Sequence, residues 1–189
     1  MWMELSRTIL AQKYLRGNGI ELGACNTPWP NPNKATIQYA DVYDFETLKK
    51  RNPTAKNIIP VTLKDDLRDI SGASQDFVVN SHVIEHTRDP IGAIENWLRV
   101  VRQGGHVVMA IPEMDYTFDK GREQTPWTHV FEDYHTPEPH KGEEEAHFHC
   151  WTTPSLKYFF QMLQAYLASF KMIEFQFVGF EVFVVLEKL

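Results

Sequence analysis

Gly19-Ile20-Glu21-Leu22-Gly23-Ala24-Cys25-Asn26-Thr27-Pro28 reads as a short buried strand running into a tight loop. Ile20 and Leu22 can line a sheet, and Gly23 can reach positive φ or let a ligand approach the backbone, which a Cβ resists. Glu21 is the odd residue, because a carboxylate inside an apolar strand costs several kcal/mol unless something hydrogen-bonds or neutralises it. Two readings stay open: a satisfied structural acid at a strand end, or an acid facing a ligand at the carboxyl end of a central strand.

The residues beyond the loop bear on the ligand. A dinucleotide site seats its pyrophosphate on a helix N-terminus opened by glycines. Here the loop enters Thr27-Pro28-Trp29-Pro30-Asn31-Pro32-Asn33, whose three prolines remove backbone donors at alternating positions. A phosphate cradle is disfavoured. A cationic nucleoside without phosphates suits Glu21 better.

The chain has 189 residues, which fits one domain over 1–189, and its net charge of -6 with no Lys/Arg cluster argues against a nucleic-acid partner. Cys25 and Cys150 make no disulfide framework and fit a reducing, cytoplasmic setting. No apolar run approaches the roughly 20 residues of a membrane span, and Met1-Trp2-Met3-Glu4 lacks the pattern of a signal peptide.

Outward from the loop, Leu5, Ile9, Tyr14 and Leu15 predict an entry helix over 3–16, stopped by Gly17-Asn18-Gly19. Ala35 to Ala40 reads as a second strand, and Asp41, eighteen residues past Gly23, stands where nucleotide folds place a ribose-binding acid or where a turn begins. Asp44 caps a helix through Arg51, and Ile58-Ile59-Pro60-Val61 reads as a third strand followed by Asp65-Asp66-Leu67. Asp76 to Ser81 is the clearest strand, running into His82. Asp89-Pro90 opens a helix with Ile91, Ile94, Leu98 and Val101 inward, ending at Gly104-Gly105, and a strand follows to Pro112. Strand, helix and strand with short joints make a right-handed βαβ unit. From about 113 to 151 the alternation lapses into an irregular insertion expected to cover a substrate, with five of the eight histidines and a helix opened by Thr125-Pro126. Thr153-Pro154 opens a last helix, and Met172 to Leu186 around Gly179 forms an antiparallel hairpin.

A mostly parallel sheet closed by such a hairpin, with Glu21 and Gly23 after the first strand, Asp41 after the second, and Asn80-Ser81-His82-Val83-Ile84-Glu85-His86 at the end of the fourth, resembles the class I S-adenosylmethionine-dependent methyltransferases. It is the small-molecule, methyltransferase type 11-like branch that is most similar. Glu21-Leu22-Gly23-Ala24 with Asn26 and Pro28, and Tyr116-Thr117-Phe118-Asp119, resemble a subgroup whose members include some associated with glycosyltransferases. The resemblance implies an α/β fold, a Rossmann-like three-layer sandwich, with S-adenosyl-L-methionine as cofactor. It implies that Glu21 and Gly23, with Ala24, Cys25 and Asn26, hold the methionine portion. Asp41 with Val42 would meet the ribose, Asp66 with Leu67 would lie beside adenine, and Asn80, Ser81 and His82 would underlie the sulfonium. Cys25 stands where the wider family prefers a second glycine, and the proline-rich segment replaces a helix.

Methyl transfer from a sulfonium needs alignment and exclusion of water, and a hydroxyl or amine acceptor also benefits from a base. His82, His86, His129 and His149 are the candidates. His147 and His149 would share one face with Trp151 on a strand, an arrangement that invites a metal. No spacing matches an established ligand motif, and Glu143-Glu144-Glu145 reads as a solvated run, so no metal is expected. The reading is a methyltransferase acting on a small polar acceptor, with a sugar or glycoside suggested by the subgroup alone and with no nucleic-acid or membrane partner. Its alternatives are a non-catalytic binding module that retains the fold and, more weakly, a dehydrogenase.

Overall fold

The computed structural model describes residues 2–136 and 147–189. Seven strands form one sheet in the order β3-β2-β1-β4-β5-β7-β6. The central strands β1 (Asn18–Leu22), β2 (Thr36–Asp41), β4 (Gln75–Ser81) and β5 (Val101–Pro112) run parallel, as does the two-residue edge strand β3 (Leu63–Lys64). The hairpin of β6 (Phe170–Val178) and β7 (Glu181–Lys188) adds antiparallel to β5. This is the expected mostly parallel sheet with its antiparallel closure. Because β1 pairs with both β2 and β4, the chain reverses its direction of crossover there, and the carboxyl ends of these strands open a crevice.

Side-chain parity on β1 and β4 sorts the core. Ile20, Leu22 and Val78 face helices α3 (Pro90–Val100) and α5 (Thr153–Leu167), together with Trp97, Trp151 and Phe159. Phe77 and Val79 face α1 (Trp2–Tyr14) and pack with Leu10, Ala11, Leu15 and Trp29. Asp89 caps α3 by accepting from the Gly92 amide at 2.8 Å, with Pro90 at the first turn. Asp44 caps α2 (Phe45–Arg51) from the Thr47 amide at 2.7 Å.

Several local expectations change. Leu5 and Ile9 lie on the solvent face of α1, because the buried Leu10, Ala11 and Tyr14 point the opposite arc of a 3.6-residue turn at the sheet. Residues 58–61 are not the third strand. Pro60 has no amide, and the Ile59 amide donates to the Cys25 carbonyl at 2.7 Å, which ties this segment to the loop after β1. Pairing with β2 begins only at Leu63. Helix α3 ends at Val100, so Gly104-Gly105 falls inside β5 rather than stopping a helix. Helix α5 does start at Thr153, as expected, with Thr152 capping it in a reciprocal box with Ser155. Residues 147–151 form no strand, and Glu143-Glu144-Glu145 lie outside the described residues.

Candidate active site

A cavity of about 450 Å³ opens at the carboxyl ends of β1, β2 and β4. Its walls include Leu22, Gly23 and Cys25 from the first loop, Asp41, Val42 and Tyr43 from the second, and His82, Val83, His86 and Thr87 from the fourth. Leu48, Arg51 and Asn52 of the α2 region and Asp65 complete it.

Gly23 sits at φ +69, with its amide bonded to the Ala40 carbonyl at 3.0 Å, and a Cβ there would come within 2.8 Å of Val83 Cγ2. Glycine is therefore required both by the left-handed backbone and by the closeness of the two loops. Cys25 takes the next left-handed turn at φ 44. Burial, then the neighbouring Asp41 charge, pushes its thiol up, so it stays protonated at neutral pH. Asp41 accepts from the Tyr43 amide through Oδ1 at 2.9 Å, and burial raises its pKa.

Glu21 points to the opposite face of the sheet. Its Oε1 accepts from the Trp29 amide at 2.8 Å, while the buried Oε2 has no hydrogen-bond partner among the described residues. Burial lifts its pKa from 4.5 to about 7, against the Trp29 amide and Arg7. The Trp29 indole donates to Ser81 Oγ at 2.7 Å, so the tryptophan bridges the ends of β1 and β4 on the α1 side. Parity separates Glu21 from Leu22, one residue on, and Gly23 reaches the cavity from the loop beyond the strand's end.

The cofactor candidates divide accordingly. Gly23, Cys25, Asp41, Val42 and His82 border the cavity; Glu21, Ala24, Asn26, Asp66, Leu67, Asn80 and Ser81 do not. Leu67 belongs to the core, Asn80 is fully buried, and the Asp66 side chain lies out beside Arg68 at 3.4 Å. Asp65, one residue earlier, takes the wall position, because β3 ends at Lys64 and the first residue after a strand faces the crevice. Tyr43, Arg51 and Asn52, which the sequence reading does not name, flank or end α2, whose buried residue is Leu48.

Among the histidines, His82 and His86 line the cavity. His82 adopts φ 53, and its Nε2 lies 2.8 Å from Glu181 Oε1, which Arg7 also reaches at 2.5 Å. Burial pushes the Glu181 carboxyl up, but the bonds from His82 and Arg7 overcome this and leave it lowered. His129 and His149 do not line the cavity; they meet at Asp133 of α4 (Trp127–His135), each 3.5 Å from Oδ2. His149 is fully buried and stacked on Trp151, and burial lowers its pKa to about 4, so it stays neutral. An exposed aromatic rim borders the same end of the sheet. Phe180 packs edge-on to His82, Phe118 packs on His147, and Tyr116 meets Phe177.

The methyltransferase-domain family model matches residues 6–166, and the chain belongs to that family. Its fold is that of the class I S-adenosylmethionine-dependent methyltransferases. A methyltransferase of this kind from Thermotoga maritima is 16% identical, with a TM-score of 0.57 over 98% of this chain and 89% of that one. A Pyrococcus horikoshii protein is 11% identical, with a TM-score of 0.61 over 99% and 89%. One from Methanosarcina mazei is 14% identical, with a TM-score of 0.55 over 95% and 97%. A search of curated proteins finds no match.

Proposed function

We propose that the protein transfers a methyl group from S-adenosyl-L-methionine to a hydroxyl or amine of a small polar acceptor, a sugar or glycoside being the class best suited to the rim. The observation that carries the reading is the pairing of Gly23 and Asp41 at the ends of adjacent parallel strands on one cavity. The cradle fits the group: there is no Cβ at Gly23, the Asp41 carboxylate stands at ribose height one strand over, and Tyr43 and Leu48 offer apolar surface. Bound there, the cofactor supplies a methyl carbon activated on a neutral leaving group.

The residues of this chain do the rest. Asp41 would accept from ribose hydroxyls, and Gly23 would let the backbone approach. Glu181 holds the proton-bearing Nε2 of His82, which leaves Nδ1 as the basic nitrogen for the acceptor's proton. Phe180, Phe118 and Tyr116 present exposed rings on which the apolar face of a sugar can stack while its hydroxyls stay wet. Neither Trp29 nor a proline of 27–33 borders the cavity, which favours catalysis over a module with a blocked cleft.

Calorimetric titration of S-adenosylhomocysteine into the pure protein tests this reading. Saturable binding that weakens at least tenfold in Asp41→Ala is the expected outcome, and no heat at millimolar ligand overturns it.

A further inference from the structure

We propose that Glu85, His86 and His147 bind a divalent first-row transition ion at the edge of the cavity. One ligating atom from each lies within 4.8 Å of the others, although His147 is some sixty residues from the other two in sequence. A tetrahedral ion with bonds of about 2.0–2.2 Å needs its ligand atoms roughly 3.4 Å apart, a gap that side-chain rotation closes.

Three observations point to an ion rather than to ordinary polar packing. First, Glu85 is buried at 1% exposure, and neither carboxylate oxygen has a hydrogen-bond partner among the described residues. Glu21 keeps one amide donor, whereas both oxygens of Glu85 are buried without one, a cost that a bound cation would offset. Second, His147 is oriented as metal-ligating histidines are. Asp119 accepts from its Nδ1 at 2.5 Å, which leaves Nε2 to coordinate. Asp119 is itself held by Arg122 and by Thr117 Oγ1 at 3.1 Å, so the orienting carboxylate is fixed in turn. Third, the main chain locks the two halves together: the Phe148 and His149 amides both donate to the Glu85 carbonyl, at 2.9 and 3.2 Å. The His86 and His147 rings stand edge to face at 4.6 Å.

Two imidazoles and one carboxylate suit zinc and its neighbours in the first row and suit magnesium or calcium poorly. Three protein ligands leave a position open, and His86 places it at the cavity wall. Only the role of the ion, to hold an acceptor oxygen beside the methyl site, rests on the methyltransferase reading; the binding does not. The second cluster, His129, Asp133 and His149, is a weaker cage, since His129 is exposed and the His149 Nε2 already contacts the Arg88 carbonyl at 3.3 Å.

The test uses the full chain, stripped with a chelator and titrated with Zn²⁺ while bound metal is counted by elemental analysis. One Zn²⁺ per chain is expected. Affinity should fall at least a hundredfold in Glu85→Gln and in His147→Ala, ten- to hundredfold in Asp119→Asn, and stay unchanged in His129→Ala. Visible ligand-field bands of a Co²⁺-loaded sample should vanish in Glu85→Gln. That variant is isosteric, and an unchanged circular-dichroism spectrum and thermal midpoint without metal show that it is folded. No Zn²⁺ bound by the wild type at micromolar concentration, or undiminished affinity in folded Glu85→Gln, overturns the site. Zinc bound without any S-adenosylhomocysteine binding would keep the site and remove the methyltransferase reading.

Discussion

At the scale of single residues, Glu21 and Glu181 show how two buried acids are set to opposite states. Glu21 has one amide donor, and burial raises its pKa to about 7; Glu181 has His82 and Arg7, and its pKa is lowered. The sign for Glu21 follows directly. Between about pH 4.5 and 7 the folded chain holds a proton that the unfolded chain has released, so stability falls as pH rises through that window. Glu21→Gln keeps the bond to the Trp29 amide without the charge. It should match the wild type at pH 4 and exceed it by about 3 kcal/mol above pH 7, read from urea midpoints against pH. Glu181→Gln tests the orienting role toward His82: kcat should drop roughly 10- to 100-fold with S-adenosylhomocysteine affinity retained. A merely structural glutamate would weaken both together. Of the two readings the sequence left open for Glu21, the geometry favours the structural acid. Gly23 remains on the cavity because it lies past the end of β1, in the loop, where strand alternation no longer sets its direction.

At the scale of elements, caps and breakers explain most of what was legible. Asp44, Asp89-Pro90 and the Thr152–Ser155 box start helices close to where they were expected, because capping is local chemistry between a side chain and amides two or three residues on. Thr152→Ala should cost about 1 kcal/mol in thermal or urea unfolding, with Gly at the same position costing only a few tenths. The third strand was misplaced for the converse reason. Ile58-Ile59-Pro60-Val61 has strand composition, yet a tertiary bond to Cys25 claims its amide, and β3 pairs through Leu63–Lys64 instead. That shift moved the wall acid from Asp66 to Asp65.

At the scale of the whole molecule, the cavity is a property of the folded sheet and of the loops and helix at its carboxyl end. Walls from β1, β2 and β4 loops and from α2 meet only in the folded chain, so a ligand of the cavity binds the native state alone. S-adenosylhomocysteine at a hundred times its dissociation constant should therefore add about 2.7 kcal/mol to stability, seen as a rise in the thermal midpoint. An unchanged midpoint at saturating ligand would contradict this. The alternation of strands and helices, the parallel sheet, its antiparallel closure and the cavity end of the fold were all determined by the sequence itself, through periodicity, caps and turn residues that act over a few positions. The tertiary structure alone decided that Glu21 turns to Trp29, that His82 meets Glu181 ninety-nine residues away, and that Glu85 and His86 converge with His147. Those outcomes depend on which strands become neighbours and which face each loop leaves by, and such long-range pairings have no local signature in the chain.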